Sequence, residues 1–138
     1  MVVVGGGDVA MDACRAALRL PGCKTVKVVY RRGPEDIPAR KIELHHAQKE
    51  GIEFIYNTLQ TGVFEASDGL ALQCVRTEAG PPDRDGRSVP VMVDDSAFEI
   101  PCGMIIAAVG QKGICDALDS AGLMGIDRVQ ADFSTMRT

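Results

Sequence analysis

A chain of 138 residues, 46% hydrophobic and 25% charged, has the composition of a globular domain with a core of its own. Aromatic residues make up 4%, Trp is absent and the net charge is −4, which argues against base-stacking nucleic-acid binding and against a broad positive field for polyanions. No apolar run reaches the roughly 20 residues of a membrane helix, and the apolar start lacks the basic leader and cleavage site of a secretory signal.

The chain opens "MVVVGGGDVAMDA". Val2, Val3 and Val4 form a short apolar run bounded by glycine, suited to a strand buried on both faces. From Asp8 to Leu20 the apolar residues Ala10, Met11, Cys14, Ala17 and Leu18 recur at helical spacing, with Arg15 and Arg19 outward. Pro21-Gly22 stops that helix. "TVKVVY", residues 25–30, is β-rich. Strand, glycine turn, helix and strand make a βαβ unit with parallel strands and a right-handed crossover.

Gly5, Gly7 and Ala10 fit the G-x-G-x-x-G/A dinucleotide fingerprint. Gly5 permits the tight turn out of the strand, Gly7 lets backbone approach a pyrophosphate, and Ala10 allows close helix–strand packing. Gly6, Asp8 and Val9 complete the turn and the helix start, where unpaired N–H groups favour an anion. The alternative is a plain tight turn. The end of the second strand separates the two nicotinamide dinucleotides. An NAD site has a carboxylate there for the ribose hydroxyls. This chain has Tyr30-Arg31-Arg32-Gly33 instead. A guanidinium is a rigid, bidentate partner for phosphate, so Arg31 and Arg32 are candidates for the 2′-phosphate of NADPH. Arg40 is a third candidate; a solvated loop role is the alternative for each.

Residues 35–50 read as a second helix, with Pro38 in its first turn and Gly51 as the C-terminal glycine. His45 and His46 are adjacent on it. Neighbouring helical positions point about 100° apart, so they make a poor metal pair. "IEFIYN", residues 52–57, is a third strand. Between about 60 and 100 the pattern changes to short β-prone pieces separated by Asp68-Gly69, Pro81-Pro82-Asp83 and Asp85-Gly86, which predicts an antiparallel β-meander. "MIIAAVGQ", residues 104–111, then returns as a continuous apolar strand whose end, at Val109 and Gly110, borders the ligand crevice. The expected order puts residues 2–4 between residues 25–30 and 104–109. The tail has a helical piece near 114–121 and a strand near 128–131. The five cysteines, Cys14, Cys23, Cys74, Cys102 and Cys115, contain no C-x-x-C. They read as reduced thiols of a cytoplasmic protein, with no iron–sulfur or zinc spacing. No metal ligand and no catalytic residue is assigned.

The segments "VVVGGGDVAMDACRAALRL", "VKVVYRRGPEDIPAR", "EGIEFIYNTL", "IIAAVGQ" and "ADFSTMRT" resemble the NADPH-binding part of the glutamate synthase small (beta) subunit and related FAD-dependent pyridine nucleotide oxidoreductases. The resemblance covers essentially the whole chain, in order. It implies an α/β, Rossmann-like three-layer NAD(P)-binding domain of the glutathione-reductase type, with a parallel sheet and a β-meander. It implies residues 1–111 as the NADPH domain and residues 112–138 as a segment leading back towards a FAD domain. Gly5, Gly7 and their neighbours would take the pyrophosphate, and Arg31 and Arg32 the 2′-phosphate. FAD and iron–sulfur clusters are expected only in a longer parent protein. Hydride would pass there from NADPH to flavin and onward, with a large glutamate synthase-type subunit as partner. The chain therefore reads as an excised domain, inactive alone. Asp8 departs from the Asn common in the family; a carboxylate would repel pyrophosphate, so it is expected to point away or cap the helix. A stand-alone NADP(H)-binding or sensing module is the alternative. An S-adenosylmethionine-binding Rossmann domain is disfavoured by Arg31 and Arg32, and a purely structural interaction domain is the remaining class.

Overall fold

The computed structural model describes residues 1–67 and 69–111. Its first half is the expected alternation: β1 (Val2–Val4), α1 (Asp8–Leu18), β2 (Lys27–Val29), α2 (Lys41–Lys49) and β3 (Glu53–Ile55). A final strand, β8 (Ile105–Ala107), returns to the other side of β1. The sheet order is β3-β2-β1-β8, and every pairing is parallel. The expected central position of residues 2–4 is therefore the observed one.

The valine triplet explains the layering. Successive side chains of a strand point to opposite faces. Val3 faces the helices and packs with Ala10, Met11, Cys14, Val28 and Ala47. Val2 and Val4 face the other way and pack with Val29, Leu72, Cys74 and Ile100. All three valines are buried, so both faces of β1 are covered. Burying one such side chain contributes about 1.5–3 kcal/mol. Helices lie on one face and an antiparallel sheet on the other, which gives the three layers. α1 buries Ala10, Met11, Cys14 and Ala17 along one stripe. It is joined to α2 through Arg15, which reaches Glu43 and Glu50 at 2.9 Å each, and Arg19, which reaches Glu50 at 2.9 Å.

The second helix starts later than its sequence pattern suggests. Residues Pro34–Asp36 form one 3-10 turn, and α2 begins only at Lys41. Pro38 is the reason. The residue before proline is driven out of the helical region, and Ile37 is extended, with φ −68° and ψ 123°. Pro38 thus stands ahead of the helix rather than in its first turn. The end is as expected: Gly51 follows with φ +85°.

The middle of the chain is β4 (Thr58–Ala66), β5 (Gly69–Pro82), β6 (Ser88–Met92) and β7 (Phe98–Cys102). All pairings are antiparallel, as a meander requires, but β7 pairs β5 rather than β6. β5 has 14 residues, and β6 occupies only its second half, from Thr77 to Pro82. Residues 93–97 then make a break, with Asp95 at φ +54°. Ser96 ties that break down: its Oγ accepts from the Arg76 N–H at 2.9 Å and donates to the Val93 carbonyl at 2.6 Å. The chain continues as β7 along Leu70 to Cys74 of the same strand. Among the described residues no helix is long and apolar enough to cross a membrane. The helix and strand expected within 112–138 lie outside the described residues.

Candidate functional site

A cleft of about 660 Å³ opens at the C-terminal ends of the parallel strands, floored by Val4, Val29 and Ala108. This is where an open parallel sheet places its ligands. One rim is the turn from β1 into α1, Gly5 to Val9; the other carries Arg31, Arg32, Gln60 and Arg87. Val109 and Gly110 close the third side, and Gly110 has φ +94°.

The three glycines of the turn differ physically. Gly5 has φ +137°, and a Cβ there would collide with the Ala108 carbonyl. The contact is part of the sheet, because the Ala108 N–H donates to the Val4 carbonyl at 2.8 Å. A Cβ on Gly6 would come within 2.6 Å of the Tyr30 ring. Tyr30 is itself held by its hydroxyl, which donates to the Asp36 carbonyl at 2.8 Å. Gly7 is unlike both. Its φ is −87°, open to any residue, and a Cβ there would meet nothing within 4 Å among the described residues. The fold needs Gly5 and Gly6; it does not need Gly7. A missing side chain in open space above a cleft leaves room for something other than protein. Gly7 is also the N-cap of α1, and among the described residues no side chain caps that helix. Its first N–H groups therefore remain available to an anion. Ala10 is fully buried beneath the turn and does not line the cleft.

Asp8 lines the cleft, yet its carboxylate is engaged elsewhere. It accepts from the Arg40 backbone N–H and from Arg40 Nε, both at 2.9 Å. The backbone hydrogen bond from Arg40, helped by the guanidinium charge, holds its carboxyl below the usual value. Asp8 therefore serves the start of α2. Arg40 is 68% exposed, paired with Asp8 and, at 3.6 Å, with Glu43, and it is not among the cleft-lining residues.

Arg31 and Arg32, indistinguishable in sequence, take opposite roles. Arg32 is 8% exposed. Its Nε donates to the Ser88 carbonyl at 2.5 Å and its terminal nitrogen to Asp83 at 2.9 Å. It lines the cleft while tying β2 to the β5–β6 hairpin. Arg31 is exposed, and its side chain has no hydrogen bond or ion pair among the described residues. Only its carbonyl is fixed, by the Thr77 hydroxyl at 2.9 Å. Arg87, Gln60 and Pro38 also line the cleft and were not legible as site residues. "DRDGR" reads as a turn, and a turn pattern does not say which surface its tip will meet. Buried Cys14 and Cys74 have thiols pushed up to about 11 by burial. The four described cysteines are free; Cys115 lies outside the described residues. Among the described residues no group of three or more metal-type side chains converges, His45 and His46 included.

A parallel sheet carrying an uncapped helix N-terminus over a glycine turn defines a nucleotide-binding α/β domain. The sequence matches the pyridine nucleotide-disulphide oxidoreductase family over residues 1–138, and the chain belongs to that family. The beta subunit of an NADP(+)-dependent formate dehydrogenase from Moorella thermoacetica is 39% identical over 120 residues, covering 86% of this chain and 17% of that protein. The NADPH glutamate synthase small chain of Azospirillum brasilense is 36% identical over 110 residues, covering 80% of this chain and 23% of its own length. This chain thus spans about a fifth of the length of the curated relatives it matches. In fold it is similar to the oxidoreductase FprA of Mycobacterium tuberculosis, solved in complex with NADPH, with a TM-score of 0.70 at 17% identity over 83% of this chain and 39% of that one. Thioredoxin reductase of T. acidophilum matches with a TM-score of 0.64 at 15% identity, over 96% of this chain and 38% of its own.

Proposed function

We propose that the chain binds NADPH across the cleft, as the nucleotide-presenting part of a flavin oxidoreductase of the glutamate synthase small-subunit type. The pyrophosphate lies over Gly7 against the N-terminus of α1. The backbone of Gly5, Gly6, Gly7, Asp8 and Val9 supplies its contacts, and Ala10 keeps the helix close to β1. The 2′-phosphate meets Arg31; Arg32 and Arg40 act from behind, through the hairpin and through Asp8. Val109 and Gly110 flank the nicotinamide half. Flavin, when present in a longer parent protein, supplies the hydride-accepting chemistry. The residues of this chain bind and orient the nucleotide, and none of them is assigned a proton transfer. A FAD domain and a large glutamate synthase-type subunit are the partners this reading implies.

The observation that carries the reading is Arg31: a guanidinium on the cleft wall, unpaired among the described residues, at the strand end where an NAD site holds a carboxylate. The cradle agrees with it, because Gly7 leaves open space that the fold itself does not require. A charge-assisted hydrogen bond contributes roughly 1.5–3 kcal/mol. Arg31→Ala should therefore weaken NADPH binding roughly ten- to a hundredfold, with NADH nearly unchanged and the NADPH preference reduced by salt. Calorimetric titration of wild type and variant with both nucleotides tests it. Equal losses for the two nucleotides would make Arg31 a solvated loop residue and remove the basis for NADPH.

A further inference from the structure

We propose that Arg87 is a second cation for the 2′-phosphate, carried to the cleft on the tip of the β5–β6 hairpin and presented there by Arg32 and Asp83. This rests on the NADPH reading above and extends it to a residue on a distant part of the chain.

The tip is a rigid platform. The Asp83 N–H donates to the Arg87 carbonyl at 2.7 Å, and the Gly86 N–H to the Asp83 carbonyl at 3.0 Å. Gly86 has φ +76°, the left-handed conformation such a turn uses. Asp83 Oδ1 accepts from the backbone N–H of Asp85 at 2.9 Å and of Arg87 at 3.0 Å. The turn is therefore closed by backbone and by Asp83, without the Arg87 guanidinium.

The platform is also docked. Arg32 holds it through the Ser88 carbonyl and Asp83 Oδ2, and the Ser88 hydroxyl donates to the Asp36 carboxylate. These links join residues 51 to 56 positions apart in the first two cases. They bring Arg87 to the wall that Arg31 already lines.

The charges then fit a phosphate dianion. A phosphate monoester carries roughly −1.5 to −2 near neutral pH. Arg31 alone supplies one positive charge, and Arg32 is already neutralised by Asp83 at 2.9 Å. Arg87 is 37% exposed, pairs with Asp85 at 2.9 Å, and stands 3.9 Å from Asp83. Asp85 is 74% exposed, and exposed pairs of this kind hold weakly. Exchanging that carboxylate for a phosphate oxygen costs Arg87 little. The result is a clamp of two guanidiniums from two separate parts of the chain.

The test uses the 138-residue chain and two probes that lack nicotinamide: 2′,5′-ADP and 5′-AMP, which differ only in the 2′-phosphate. Titrations are run on wild type, Arg87→Ala and Asp85→Asn, with thermal denaturation of each. Arg87→Ala should bind 2′,5′-ADP about tenfold more weakly, leave 5′-AMP unchanged, and keep its melting temperature. Asp85→Asn, which frees the guanidinium, should bind 2′,5′-ADP two- to threefold more tightly. Arg87→Ala with unaltered selectivity, in a wild type that prefers 2′,5′-ADP, overturns this inference and leaves the NADPH reading standing. A wild type that does not prefer 2′,5′-ADP overturns the NADPH reading, and the inference with it. Should Arg87→Ala fail to fold, Asp85→Asn decides: unchanged affinity overturns the proposal.

Discussion

The two rims of the cleft are built on different principles. The rim from Gly5 to Val9 is contiguous, and backbone does its work: a left-handed glycine, an open position above the helix, and uncapped N–H groups. The opposite rim is assembled from β2, β4 and the β5–β6 hairpin, and side chains hold it, with Arg32 reaching Asp83 and Ser88. A backbone site has fixed spacing, because strand, turn and helix geometry dictate where each small residue must fall. A side-chain site has no fixed spacing, because any loop long enough can deliver the residue. The first kind is readable in one sequence; of the second, Arg31 and Arg32 are readable from their place at a strand end, while Gln60 and Arg87 become visible only when the chain is folded.

Within the glycine rim, Gly5 and Gly7 should respond differently to the same substitution. Gly5→Ala forces a side chain into φ +137° and into the Ala108 carbonyl. The backbone strain alone costs roughly 1–3 kcal/mol, and the collision adds to it. The melting temperature should fall by at least about 10 °C, or the chain should not fold. Gly7→Ala has neither problem, so its melting temperature should stay within about 4 °C of wild type while NADPH affinity falls. Thermal denaturation and titration of the two variants check this. Similar destabilisation at both positions would mean that Gly7 serves the fold and not a ligand.

On the other rim the expected loss is smaller and local. Arg32→Ala removes two hydrogen bonds that its guanidinium donates, one to the Ser88 carbonyl and one to Asp83. The cost should be about 1–3 kcal/mol. Amide exchange should speed up across residues 83–88 and remain unchanged from Gly5 to Ala10. Faster exchange at the glycine turn would show that the rims are one cooperative unit.

The smallest effect concerns the support beneath the glycine rim. Hydrogen bonds from Arg19 and Arg15 hold the Glu50 carboxyl at about 2, against an ordinary 4.5. Because folding depresses this value, the stabilisation is present above pH 4.5 and is lost as pH falls towards 2. Wild type should melt a few degrees above Glu50→Gln at pH 6, and the gap should close by pH 2. A gap independent of pH would mean that Glu50 acts through packing rather than charge.

Much of the parallel half was legible because valine, glycine and helical periodicity repeat local rules. β1 between β2 and β8, and α1 starting at Asp8, follow from them. The misread start of α2 came from treating Pro38 as a first-turn residue, when its effect on Ile37 delays the helix to Lys41. The pairing of β7 escaped because a long β5 can accept two successive partners, which turn signals alone do not reveal. Arg31 and Arg32 look equivalent side by side; only the contacts of Arg32 with Asp83 and Ser88 separate them. The sequence leaves Asp8 to point away or cap its helix; its carboxylate is held instead by the Arg40 backbone and guanidinium, partners 32 positions away that no local pattern reveals. Arg87 gave no signal, because nothing local links residue 87 to residue 31.

The proposed cleft ligand is NADPH, recognised through its 2′-phosphate. The most direct measurement is a titration of the wild-type chain with NADPH and with NADH, side by side at low ionic strength. The two ligands share everything except that phosphate, so their ratio isolates the groups that face it. NADPH should bind at least about tenfold more tightly than NADH. Equal affinities, or a preference for NADH, would contradict it.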